Sequence, residues 1–280
     1  MKETIISPDS GLGSIKATLL SMVKNLGPTW ELARRMFLRD IRAMHRQSIL
    51  GYAWIILPPL ANSLVWIFLN QQQVLNIDTK GTPYPVFVLT GNLLWAAFNS
   101  AIVGLLGAVN EARNLISKIN FPHESLLLSA FMKAAFNGLI PLIILIPILP
   151  FYLSSLHWQM LLFPIGVLSL LAAGSTIAIL LLPIATLYTD IGKGIQLILR
   201  FGFFLTPVIY PMPEHGLARI IAEINPITPL LITSRSWLIG GELDMLLPFW
   251  CITLTLPLLL IVSVIIFKIT VPYLVERLSA

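Results

Sequence analysis

Six long apolar runs, separated by short polar or charged segments, organise this chain: Ile49–Leu69, Val86–Val109, Ser125–Leu153, Met160–Tyr188, Ile195–Tyr210 and Met245–Phe267. A helix rises about 1.5 Å per residue, so about 20 apolar residues cross a hydrocarbon core of roughly 30 Å. Five of the runs reach that length. The fifth in order, Ile195–Tyr210, is shorter and carries Arg200, which makes it the weakest span. The pattern predicts an all-α integral membrane protein with six transmembrane helices.

The remaining segments have patterns of their own. Residues 1–13 are small and polar, and Ser14–Leu26 has the spacing of a short amphipathic helix, ended by Gly27-Pro28. Over Thr29–Gln47, Trp30, Ala33, Phe37, Ile41 and Met44 recur at steps of three or four, while Arg35, Arg39, Arg42 and Arg46 repeat on another face. A helix with these two faces lies in the membrane interface rather than through it. The chain therefore divides into residues 1–48, a tail with an amphipathic interface helix, and residues 49–280, a six-span membrane domain. Between the last two runs, Pro211–Asp244 is too long and too apolar for a simple loop. Its pieces Leu217–Ile224 and Leu230–Ile239 are helical in length but too short to cross. They predict an outer re-entrant helix pair, with a flat interfacial hairpin as the alternative. Thr189–Gly194 reads as a tight turn.

Charge sets the orientation. Of 18 lysines and arginines, eight fall in the first 48 residues. Arg113, Lys118, Lys193, Lys268 and Arg277 join them by alternation. Only Lys80, Arg219 and Arg235 fall on the opposite side. The positive-inside rule then expects both termini in the cytoplasm. The net charge of +5 is explained by this bias, with no nucleic-acid partner needed. A chain that is 56% hydrophobic and 11% charged, with mean hydropathy +0.85, is excluded from the soluble globular class. The single cysteine, Cys251, excludes an internal disulfide and a cysteine-based metal site.

The sequence lacks a phosphate-binding G-x-x-x-x-G-K-[ST] loop, an H-E-x-x-H pair and a C-x-x-C pair, so no catalytic residue, cofactor or metal site is assigned to this chain. Carboxylates are absent from the depth of every run, which argues against a proton- or sodium-coupled carrier. Lys133 and Arg200 are the charges inside apolar runs. Each reads as lying a turn or two from the cytoplasmic end, where it either snorkels to the interface or meets an anionic group. Aromatic residues concentrate on the first, second and fifth runs: Trp54, Trp66, Trp95, Phe98, Phe201, Phe203, Phe204 and Tyr210. They suit an interfacial belt, and equally a path for sugar rings, whose apolar C–H faces stack on aromatic rings. In the first inner loop, Leu115, Ile116 and Ile119 form an apolar patch flanked by Arg113 and Lys118. Such a patch marks an interface.

Four stretches in order resemble the polysaccharide-exporting ABC-2 permeases. They are Arg39-Asp40-Ile41-Arg42-Ala43-Met44-His45-Arg46-Gln47-Ser48-Ile49-Leu50-Gly51-Tyr52-Ala53-Trp54 with Pro58; Asn114-Leu115-Ile116-Ser117-Lys118-Ile119-Asn120-Phe121-Pro122; Thr206-Pro207-Val208-Ile209-Tyr210-Pro211; and Asn225-Pro226-Ile227-Thr228-Pro229 with Arg235 and Gly240-Gly241. The resemblance implies a transport subunit rather than an enzyme, in the bacterial cytoplasmic membrane. It would pair with a second copy of itself and with two copies of a separate cytoplasmic ABC ATPase, which carries the ATP and Mg. The cargo implied is a polyprenyl-diphosphate-linked glycan: O-antigen, capsule or teichoic acid. The loop with Arg113, Leu115, Ile116, Lys118 and Ile119 would couple to the ATPase. Arg39, Arg42 and Arg46 would meet the diphosphate head, against the simpler reading that they hold lipid headgroups. Trp54, Trp66, Trp95, Phe98, Phe203, Phe204 and Tyr210 would line the cargo path. An ABC-2 permease for a drug or lipid stays open. So does a membrane-embedded transferase, although Asp40, Glu111, Glu124 and Asp190 show no paired spacing.

Overall fold

A computed structural model describes residues 26–44, 48–79, 81–111, 122–152 and 157–279. The described residues form helices and turns, with no strand among them. The helices are α1 (Leu26–Met44), α2 (Ala53–Gln71), α3 (Tyr84–Glu111), α4 (Glu124–Leu139), α5 (Leu145–Tyr152), α6 (Phe163–Leu187), α7 (Thr189–Leu205), α8 (Gly216–Ile224), α9 (Ile227–Ile239) and α10 (Leu246–Ser279). A 3₁₀ turn over Ile140–Ile144 joins α4 to α5, and another over Trp158–Leu162 leads into α6. The tail through residue 25, including almost all of the expected Ser14–Leu26 helix, lies outside the described residues, as do residues 45–47.

Five segments are long and apolar enough to cross a membrane: α2, α3, α4 with α5, the 3₁₀ turn with α6, and the first part of α10. The chain is thus a multi-pass helical membrane protein. The weakest run forms α7, whose 17 residues span about 26 Å, a little short of a hydrocarbon core. Two sequence expectations change here. Thr189–Gly194 is the start of α7 rather than a turn, and the reversal from α6 is confined to Tyr188 (φ −125°, ψ 109°). Asp190 explains this: a carboxylate in the first turn complements the positive end of the helix, and it pairs with Lys193 at 3.5 Å. At the other end, α7 stops at Leu205, so Tyr210 is not on the helix.

The centre of the bundle is α3 and α6. Of the apolar window of α3, 78% is buried, against 6% for α2, so α2 borders the bundle with most of its side chains outward. Small residues allow the close approaches. A Cβ on Gly138 would sit 3.0 Å from the Ala97 Cα, and one on Gly174 would sit 2.7 Å from the Phe98 carbonyl oxygen. Membrane helices associate by such packing, because lipid supplies no hydrophobic drive between them. Ser100 adds a bond across α3 and α4, its hydroxyl donating to the Ala134 carbonyl at 3.0 Å. Charged groups along α4 are tied too: Lys133, past its middle, reaches Glu111 at 3.7 Å, and Lys268 of α10 reaches Glu124 at its start at 2.7 Å.

Helix α1 has the expected two faces. It buries Thr29, Ala33, Met36 and Ile41. Phe37 meets Phe136 of α4 edge-on, with ring centroids 6.0 Å apart. Trp30 and Met44, expected on the apolar stripe, are exposed. The buried residues run from Thr29 to Ile41 on a face that leaves Trp30 and Met44 at its margin.

Candidate functional site

A groove of about 680 Å³ runs between α2, α3 and α7. Each helix contributes one face. Pro58, Pro59, Asn62 and Trp66 fall on one side of α2, Asn92, Trp95, Ala96, Asn99 and Val103 on one side of α3, and Gln196, Leu199, Arg200, Phe203 and Phe204 on one side of α7. The steps of three, four and seven residues within each set are those of a single helical face. All three faces carry an amide within a turn or two of an aromatic ring.

The rings form one connected cluster. Trp66 meets Phe204 edge-on at 6.1 Å, Phe204 meets Phe203 at 5.2 Å, and Phe203 meets Trp95 at 6.1 Å. Gly202 lets α7 lie close to Trp95, since a Cβ there would approach the indole to 3.3 Å. Polar side chains hold α2 to α3. The Asn92 amide donates to the Ser63 hydroxyl at 2.8 Å, and that hydroxyl donates to the Pro59 carbonyl at 2.8 Å. The Asn62 amide carbonyl accepts from the Trp66 indole N–H at 3.1 Å, fixing the ring that borders the groove. Asn92 is buried, so its bond to Ser63 prevents the cost of an unpaired amide.

Of the seven aromatics expected along a path, the groove brings together Trp66, Trp95, Phe203 and Phe204. Phe98 is buried behind Trp95, 5.3 Å from its ring, and Trp54 is exposed elsewhere on α2. Tyr210 closes the end of α7, its hydroxyl donating to the Phe204 carbonyl at 2.7 Å. Arg200 lies eleven residues, about three turns, into α7, deeper than the turn or two read from the sequence, because the helix begins at Thr189. The sequence reading missed Asn62, Asn92, Asn99 and Gln196. Their signal was present: each stands one to two turns from an aromatic on the same face.

The expected arginine ridge is in part visible. Arg35, Arg39 and Arg42, with Leu38 and Ala43, line a hollow of about 660 Å³ on α1. Arg35 pairs with Glu31, and Arg39 pairs with Asp40 at 2.8 Å. Arg42 makes no ion pair among the described residues and is exposed. Arg46 lies outside the described residues, and so do Arg113, Leu115, Ile116, Lys118 and Ile119.

The segment between α7 and α10 is fastened to the groove helices by a charge on the short helix that the sequence predicted. Arg235 of α9 is 4% exposed. It donates to the carbonyls of Pro207 and Val208, both at 3.0 Å, and its guanidinium stacks 3.7 Å over the Phe87 ring of α3. Gly91 makes room: a methyl group there would collide with the Val208 carbonyl oxygen. On the other flank, a methyl on Gly166 of α6 would collide with Ser234. Asn225 joins the two ends, donating to the Thr206 hydroxyl at 2.8 Å and accepting from the Ile227 N–H at 3.0 Å.

Apolar crossing helices around an amide- and aromatic-lined groove define a polytopic membrane protein of the permease class. Comparison with known proteins makes this specific. Residues 31–239 match the ABC-2 type transporter family, and the chain belongs to it. It is 25% identical over 225 residues to the O-antigen export system permease protein RfbA of Myxococcus xanthus, covering 78% of this chain and 84% of that protein. It is 24% identical over 235 residues to an RfbA of Klebsiella pneumoniae, covering 80% and 86%. Against the polysialic acid transport protein KpsM of Escherichia coli it is 21% identical over 215 residues, covering 75% and 81%.

Proposed function

We propose that this chain is the permease subunit of an ABC exporter that moves a polyprenyl-diphosphate-linked polysaccharide across the bacterial cytoplasmic membrane. A separate cytoplasmic ATPase supplies the energy, with ATP and Mg bound there, and two copies of each chain form the complex. One observation carries the reading: the groove alternates ring faces with amides. Rings stack on the C–H faces of sugars, and amides both donate to and accept from their hydroxyls. Relatives named for O-antigen and polysialic acid transport support a glycan cargo.

The same proposal fixes a topology of six spans, α7 being the short one, with both termini cytoplasmic, as the lysine and arginine bias favours. Helices α8 and α9 are the outer re-entrant pair. The burial of nearly every residue of α9 supports this, since short helices at membrane depth need protein around them. Arg39, Arg42 and Arg46 receive the diphosphate at the inner interface, and the loop carrying Arg113, Leu115, Ile116, Lys118 and Ile119 docks on the ATPase.

The test is co-purification with an ABC ATPase encoded beside it, followed by ATP hydrolysis in proteoliposomes. A polyprenyl-diphosphate glycan should stimulate hydrolysis severalfold, and the uncharged polyprenol should not. A complex that forms but ignores the glycan overturns the cargo. The absence of any complex overturns the subunit assignment.

A further inference from the structure

Beyond the first turn of each, the apolar helices of the described bundle and the enclosed α9 carry positive charges that are answered by protein, with one exception. Lys133 has Glu111, Lys268 has Glu124, and Arg235 has two carbonyls and an aromatic face. Arg200 is the exception. It lines the groove, is exposed to it, and makes no ion pair or hydrogen bond among the described residues. It stands about 16 Å along α7 from Thr189, too far for one side chain to reach back to that end. A guanidinium always carries its charge, and at this depth an unanswered charge is costly, so such residues mark binding sites.

Its neighbours share the vacancy of partners. The amides of Asn99 and Gln196 line the same groove and make no hydrogen bond among the described residues. Gln196 lies one turn before Arg200 on α7, and Asn99 faces them from α3. No carboxylate is among the described lining residues, so nothing there competes with an anion. The rest of the lining is apolar or aromatic, which suits an uncharged chain or ring attached to that anion.

We propose that Arg200, with Asn99 and Gln196, is a binding site for the phosphate group of a lipid phosphate ester held in the groove. Guanidinium forks bind phosphate oxygens in pairs, and two amide NH₂ groups complete a donor set around them. This site is separate from the α1 arginines, and lies on a face built by one copy of the chain. Two sources offer this chemistry: the diphosphate of the cargo, and a bilayer phospholipid drawn into the groove. The assignment of the cargo source rests on the proposed function; the phosphate site does not.

The experiment measures equilibrium binding of radiolabelled undecaprenyl diphosphate to the full chain in phosphatidylcholine nanodiscs. Wild type should bind saturably, and Arg200→Gln should bind about tenfold more weakly, the scale of losing one charge-assisted contact. Arg200→Lys should restore part of the affinity, and Asn99→Ala should weaken it by about threefold, since a neutral bond is worth less. Uncharged undecaprenol should distinguish none of these variants. If added phosphatidylglycerol competes in wild type but not in Arg200→Gln, the site holds and its source is the bilayer. If it does not compete, the site holds and the source is the cargo. Equal diphosphate affinity in wild type and in an Arg200→Gln protein of unchanged elution volume overturns the site. Loss of the dimer in Arg200→Gln also overturns it, because the arginine would then be answered by a second copy. ATP hydrolysis by the wild-type complex is read in parallel. Failure of the glycan to stimulate it defeats the export reading and leaves the Arg200 dependence of phosphate binding intact.

Discussion

Helices α8 and α9 are neighbours in the chain, both short and both apolar, yet they are held in opposite ways. Almost every residue of α9 is buried between α3, α6 and α10, and Trp237 packs edge-on against Phe249 at 4.7 Å. In α8 only Ala222 is buried. Leu217, Ile220, Ile221 and Ile224 face outward, and Arg219 is satisfied within its own helix by Glu223 at 2.8 Å. The difference lies in the small residues that receive each helix. Gly166 opens a slot for Ser234 of α9, and Gly91 admits the Val208 carbonyl that Arg235 of α9 binds, so both glycines serve the same fit. No such slot faces α8. An apolar short helix is therefore either enclosed by the bundle or left to whatever surrounds it, and glycines in other helices decide which.

The largest expected effect comes from the charge that fixes α9. Arg235→Ala leaves the Pro207 and Val208 carbonyls without their donor and a void beside Phe87, and should cost about 3–5 kcal/mol. Thermal unfolding in detergent should show a much lower midpoint. An unchanged midpoint would mean that packing alone holds α9.

Next is Gly91→Ala, which pushes a methyl into the Val208 carbonyl and should cost about 2 kcal/mol as an overpacking change. The matching change at Gly107, where a Cβ meets nothing within 4 Å, should not destabilise. If both variants melt alike, the slot argument for α9 fails.

Thiol labelling sharpens the contrast. In a Cys251→Ala background, Cys placed at Ala222 or Leu231, both buried, should react slowly with an impermeant reagent, and Cys at Glu214 or Glu242 should react fast. Ile220→Cys is the informative position, since the chain itself leaves it 52% exposed. Slow labelling there places α8 against lipid, and fast labelling places it against water.

The smallest effect belongs to α8. Leu217→Ser removes an apolar side chain that is 77% exposed, and should change stability by less than about 0.5 kcal/mol. A loss comparable to that of Gly91→Ala would show that another chain covers this face.

Much of this was legible from residue order. The proline-bounded pieces Leu217–Ile224 and Leu230–Ile239 appear as Gly216–Ile224 and Ile227–Ile239. Four of the five long apolar runs appear as helical segments within a few residues of their expected ends, and the fifth, Met245–Phe267, begins as expected but continues as helix to Ser279. What escaped depended on faces and ends. The glycines and charges of Thr189–Gly194 suggested a turn, although Asp190 and Lys193 are spaced as a helical pair. That misplaced Arg200 by about two turns. Asn62, Asn92, Asn99 and Gln196 are single polar letters in three different runs, and only the packing of α2, α3 and α7 collects them. Arg235 stands in a short helix that was expected, but residue order does not reveal that two carbonyls and a ring await it.

Adjacent prolines at 58 and 59 give α2 a property that its neighbours lack. Neither residue has an N–H to donate, so the carbonyls of Trp54 and Ile55 lose their usual partners, and the helix bends most easily there. Beyond the prolines, Asn92 and Ser63 tie α2 to α3, and Trp66 rests on Phe204. Before the prolines, Tyr52 meets Phe136 of α4 edge-on at 6.0 Å, so the stretch Ala53–Leu57 flexes between two anchors. The wall therefore gives way most easily at Pro58-Pro59: the Trp66 end is held by α3 and α7, and the stretch opposite Val103 flexes against its anchor on α4. Spin-label distances between Leu57 and Val103 should accordingly be broad, and those across the Trp66 end narrow.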